Sequence, residues 1–219
     1  MEDNTSFSLV DLSISLMVVF ILLFVVTIHN ISKSNETIRG QLTKALKEID
    51  DNKASYKEAR GKLIAALEEQ QIDYDKSFDD PFVVKSIIPE DKLQFRHNEA
   101  ELLPGGKDFL DSFIIKEAQA VCHGEIKDKI QAIYIIGHAN SLGSDEHNLE
   151  LSQKRALSVM MYALNNKNLS EEERDCLFDV LSVNGRGKRE PLLRKDGTED
   201  FRRSRRVEII HRLKTADPS

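Results

Sequence analysis

The stretch from Phe7 to Ile28, FSLVDLSISLMVVFILLFVVTI, constrains the chain more than any other. Asp11 is its only charged residue. A helix needs about 20 apolar residues to cross the hydrocarbon core of a bilayer. A cleaved secretory signal would bring a basic start, a shorter apolar core and a small-residue cleavage site. Here the start, MEDNTS, is acidic, no Ala-x-Ala pattern follows, and no lipobox cysteine stands near it. The expectation is an uncleaved single transmembrane helix over 7–28, after a short segment 1–6.

Orientation is pulled two ways. Lys33 and Arg39 follow the span and no Lys or Arg precedes it, which favours a cytoplasmic C-terminus. That rule weakens for long translocated domains, and the nature of the domain, argued below, favours the opposite. With 31 Lys and Arg against 37 Asp and Glu, the net charge of −6 speaks against nucleic acid as a partner.

Residues 29–78 read as a helical stalk. Leu42, Ala45, Ile49, Asn52, Tyr56, Ala59, Leu63 and Ala66 alternate at spacings of three and four, the seam of a two-stranded coiled coil. Three alanines and a buried Asn make it a thin seam, and a solvated single helix is the alternative.

Composition changes at DDPFVVKSIIPEDKLQF. Phe82 to Ile88 is a β-rich run ended by Pro89. A helix follows with Pro104 near its start and Gly124 as its stop. IQAIYIIGHA is a buried strand. The next helix has Ser144 as N-cap, Asp145 and Glu146 in its first turn, His147 at its third position, and an apolar face from Leu149 to Leu164. LSEEERDCLF reads as a short helix, and strands lead into VNGRGKREP and through RRVEIIHRL. Strands alternating with helices predict a two-layer α/β domain over 79–213. The glycines of NGRGKRE suit a tight turn, since the phosphate-loop arrangement is missing. Cys122 and Cys176 are either a disulfide or two buried thiols; spacing does not decide between them.

Three blocks, IIGHANSLGSDEHNLELSQKRALSV, VNGRGKREP and RRSRRVEI, resemble in order and spacing the OmpA-like peptidoglycan-binding domain. The resemblance implies a periplasmic domain that holds the peptide stem of peptidoglycan through its diaminopimelate residue. It implies binding roles for Asn140, His147, Asn148 and Leu151, and for the cations Arg155, Arg202 and Arg206. The chemistry suits a zwitterion: Arg155 on the long helix can meet a carboxylate bidentately, and Asn148 both donates and accepts. From spacing alone, Arg155 would equally serve a surface ion pair with Glu150 or Asp145. One departure stands out. The family has an aspartate for the ligand amine where this chain has Asn140, so affinity is lowered, Asp145 substitutes, or the preferred ligand differs.

An early intramembrane carboxylate, a stalk and this domain together resemble the B subunits of ion-driven stator motors, the MotB class. The acidic start and long stalk are most similar to the B subunits of Zorya anti-phage defence systems; flagellar B subunits usually begin with a basic segment. The resemblance implies a homodimer inside five copies of a multi-span MotA-like A subunit, a peptidoglycan anchor, and an inner-membrane protein with a cytoplasmic N-terminus. Asp11, flanked by Ser8 and Ser15 on one helical face, is then the ion-binding carboxylate, with Ser15 beside it. A charge within hydrocarbon costs on the order of 2.5–3.5 kcal/mol even on insertion scales. The plain alternative is a helix cap at the interface before a minimal span, Leu12 to Ile28, on a passive wall anchor. No nucleophile–base pair points to an enzyme and no cofactor is expected. His138, His147, Asp145 and Glu146 lack the spacing of a known metal site.

Overall fold

The computed structural model describes residues 3–69, 72–76 and 80–214, with side chains from residue 12 onward except those of Asp73 and Glu125. The chain divides into two compact units, Met1–Asn52 and Lys53–Ser219. Helix α1, Asp3–Glu69, contributes to both. Within the first unit every described side chain, 12–52, is exposed, including Phe20, Phe24, Ile38, Leu42 and Ile49. Among the described residues this is the one helix long and apolar enough to cross a membrane.

The second unit is an α/β domain. After the last turns of α1 come β1 (Asp73–Tyr74), β2 (Val83–Pro89), α2 (Glu90–Leu93), α3 (Pro104–Cys122), α4 (Gly124–Lys127), β3 (Ile130–His138), α5 (Asp145–Leu164), α6 (Glu171–Val180), β4 (Leu181–Gly187), α7 (Phe201–Ser204) and β5 (Arg206–Leu213). The sheet runs in the order β1-β2-β5-β3-β4. Only β3 and β4 pair in parallel, because the connection through α5 and α6 carries the chain back before it re-enters the sheet. β5 then inserts antiparallel between β2 and β3.

Local chemistry fixes the helices. Pro104 opens α3, where its missing N–H costs nothing. The Ser144 hydroxyl accepts from the His147 N–H at 3.2 Å. At α6, Ser170 and Glu173 form a reciprocal capping box. α5 lies close on β3 and β4 because two glycines let it. A Cβ at Gly137 would meet the Ser152 carbonyl oxygen at 2.1 Å, and one at Gly185 the Gln153 nitrogen at 2.6 Å. Gly185 therefore makes room for the helix within the strand, while Gly187, at φ +59°, begins the tight turn that was expected, in which the Arg189 N–H donates to the Arg186 carbonyl at 3.4 Å. The Cys122 and Cys176 sulfurs are bonded and join α3 to α6, with Cα atoms 5.9 Å apart.

The domain begins earlier than residue 79. Ala59, Leu63 and Leu67 are buried in its core, Tyr56 stacks edge-on against Phe82 at 5.4 Å, and β1 pairs with β2. The seam expected to run through Ala66 in a stalk is therefore divided. From Tyr56 on it serves the domain, whose edge would otherwise leave apolar surface in water.

Candidate functional site

A cleft of about 540 Å³ opens where the loop after β3 meets the start of α5. The GHA-N turn and the Ser144 cap shape it. Asn140 Oδ1 accepts the Leu142 N–H at 3.2 Å, and Asn148 Nδ2 donates to the carbonyls of Asn140 and Leu142 at 3.3 and 2.7 Å. These bonds hold the loop, so Asn148 spends its donors on backbone.

Arg155, 5% exposed, forms the floor. Its Nη1 lies 2.9 Å from Glu90 Oε1, its Nε donates to the Glu99 carbonyl at 3.0 Å, and its guanidinium stacks over Phe95 at 4.9 Å. Its Nη2 has no protein partner among the described residues. Burial lowers the guanidinium pKa below its ordinary value, opposed by Glu90; arginine stays charged regardless. The other oxygen of Glu90, Oε2, accepts from Arg205 Nε, and Arg205 Nη1 donates to the Phe201 carbonyl at 3.0 Å. Glu90 thus bridges two arginines from different parts of the fold. Among the described residues it is the only carboxylate lining the cleft.

The structure brings Asn140, His147, Asn148, Leu151 and Arg155 together around this cleft. It places Arg202 and Arg206 elsewhere. Arg202, exposed on α7, pairs with Asp91 at 2.8 Å beside a different groove. Arg206 is 4% exposed and starts β5 facing inward, where Glu208, two residues on and on the same face, holds it at 2.7 Å. The arginine of the RRSRR cluster that reaches the cleft is Arg205. Glu90 and Phe95 also line it without having been expected. Glu90 stands directly after the strand-ending Pro89, but no local pattern ties it to residue 155. The anticipated partners of Arg155 are occupied: Glu150 pairs with Lys154 and Asp145 with Lys188, both at 2.6 Å.

Asp11 lies within α1, but its side chain falls outside those described; Ser15 is exposed. Of the four residues weighed for a metal, His138 is buried beside Glu208 at 3.2 Å, with Glu190 at 3.9 Å. The three groups approach one another closely enough to hold an ion. Arg206 at 2.7 Å and Lys85 at 3.1 Å from Glu208 already supply the cations. Burial works to raise the Glu208 pKa, yet His138, Arg206 and Lys85 together hold it at about 2.

The model of the OmpA family matches residues 94–205, half of the chain and nearly the whole cleft. The chain belongs to the OmpA family. Outer membrane protein A of Bordetella avium is 28% identical over 129 residues, which cover 59% of this chain and 58% of that protein. A Desulfovibrio vulgaris protein described as MotB-like shares the fold at 20% identity and a TM-score of 0.50, over 80% of this chain and 99% of that one. The periplasmic domain of Helicobacter pylori MotB aligns at 15% identity and a TM-score of 0.49, over 67% of this chain and 82% of that one. Glu90 lies outside the segment that matches the family.

Proposed function

We propose that this chain is a wall-anchored B subunit of an ion-driven membrane motor. Its OmpA-family domain holds the diaminopimelate of peptidoglycan, and its single span carries Asp11 into the inner membrane as the ion-binding group. The observation that carries this reading is a buried arginine with a free Nη2 at the floor of an open cleft, on the same chain as a span-length helix. Desolvated and stacked, Arg155 is placed for charge-assisted bonds to a ligand carboxylate.

Orientation follows from the domain. The Cys122–Cys176 disulfide suits an oxidising compartment, which supports a periplasmic domain and a cytoplasmic N-terminus, against the pull of Lys33 and Arg39. The exposed half of the seam, Leu42 to Asn52, supports a homodimer. The acidic start and the stalk favour a Zorya-type defence motor with five MotA-like A subunits around two of these chains. The ion is a proton on this reading, because a carboxylate can take up and release a proton as access switches from one side of the membrane to the other.

Asp11→Asn tests the motor. It keeps the shape and a hydrogen bond but takes no proton. The variant is expected to insert, dimerise and assemble normally while ion flux and phage protection are lost. Full activity with normal assembly would reduce Asp11 to a helix cap and leave a passive wall anchor.

A further inference from the structure

The cleft holds two arginines and a single acid, and that acid comes from outside the family-matched segment. Asn140, where the family has an aspartate, brings no charge. Asp145, the nearest substitute in sequence, is tied to Lys188 at 2.6 Å and does not line the cleft. Glu199, close to the loop, accepts the Ser141 N–H at 3.1 Å and does not line it either. Glu90 alone puts negative charge into the cleft, and its two oxygens each hold one arginine.

Resting on the peptidoglycan reading above, we infer that Glu90 is the specificity-determining residue of this cleft: it replaces the missing charge at position 140 and makes the site select an amino-acid head group over a plain carboxylate. With Glu90 ionised, the arginine–glutamate cluster carries one net positive charge. A ligand carboxylate meets the free nitrogens of Arg155 and Arg205, and the ammonium beside it meets the carboxylate that bridges them. Without Glu90 the same floor would carry two positive charges and no carboxylate, a site suited to dianions. Glu90 also holds Arg155 and Arg205 in register, so it acts on the ligand both directly and through them.

The test compares meso-diaminopimelate with pimelate, which has the same carbon chain and carboxylates but no amines. The full chain in detergent is titrated with each by calorimetry or by shifts in its NMR spectrum. The unmodified chain is expected to prefer diaminopimelate by about tenfold or more, the scale of one well-placed charge pair. Glu90→Gln should lose that preference and gain affinity for pimelate, with circular dichroism unchanged. Asn140→Asp placed in the Glu90→Gln chain should bring the preference back, a result that a merely structural Glu90 would not give. An unchanged ratio in Glu90→Gln, with sacculus binding intact, overturns the role of Glu90 alone. Should the unmodified chain bind neither ligand nor sacculi, the reading of the cleft falls with it. If Glu90→Gln is misfolded, Glu90→Asp decides: retained preference supports the inference, and indifference to the two ligands in a folded chain overturns it.

Discussion

The two units invert each other. Residues 12–52 expose what proteins usually bury: Leu12, Met17 and Phe24 are each more than 60% exposed. The domain buries what proteins usually expose: Glu117, His138, Arg206, Glu208 and His211 are all under 9% exposed. The domain resolves its conflict internally. Glu117 meets His211 and Glu208 meets Arg206, Lys85 and His138, so desolvated charges find partners within the fold. The helix offers no such internal solution. An apolar surface this long has lipid or other protein as its surroundings. One unit thus pairs most of its buried charge within the fold, Arg155 Nη2 excepted, and the other is defined by what surrounds it.

The sharpest way to break this contrast is to remove a buried partner. Glu208→Ala leaves Arg206 and Lys85 desolvated without their carboxylate and should cost about 4 kcal/mol of domain stability in urea unfolding. The intact pair has a pH signature. The folded pKa of Glu208, about 2, lies below its ordinary 4.5. Its contribution, on the order of 3 kcal/mol, is therefore full above pH 4.5 and lost as pH falls toward 2. Glu208→Gln should be less stable at neutral pH and show a flatter acid limb.

The divided seam is the next test. Leu63, fully buried, should cost about 3 kcal/mol as Leu63→Ala. Leu42, 57% exposed, should change domain stability by less than about 0.5 kcal/mol as Leu42→Ala. It should instead weaken pairing of two chains. Single cysteines introduced along 38–52 should crosslink with heptad period, and the pattern should stop by Ala59. Periodic crosslinks running past Leu63 would mean that the seam is not divided. The effect of opening the disulfide is close to that of Leu63→Ala: Cys122→Ser with Cys176→Ser should cost about 2 to 3 kcal/mol, seen as a lower melting temperature that added reductant no longer changes.

Much of the domain was legible because its signals are local. The Ser144 cap, the Pro104 start and the apolar strand at 130–138 each declare themselves within a few residues. The start of the domain was not, because Ala59 and Leu63 satisfy a heptad and a core face equally well. The same limit divides the site. Asn140, Asn148 and Arg155 sit in one recognisable block. Glu90 reaches Arg155 only through the fold, across 65 residues of sequence. The arginine cluster shows a third kind of limit: four cations in five residues announce positive charge, and only the inward register of β5 decides that Arg206 is buried and Arg205 faces the cleft.

The central claim is that the Arg155 cleft grips the wall, and sedimentation with purified peptidoglycan sacculi tests it most directly. The full chain in detergent should co-sediment with sacculi and be released by free meso-diaminopimelate. Arg155→Ala, which removes the buried partner of the ligand carboxylate, should reduce the bound fraction at least about tenfold while the domain stays folded. Equal sedimentation of the folded Arg155→Ala chain and the unmodified one would contradict the account.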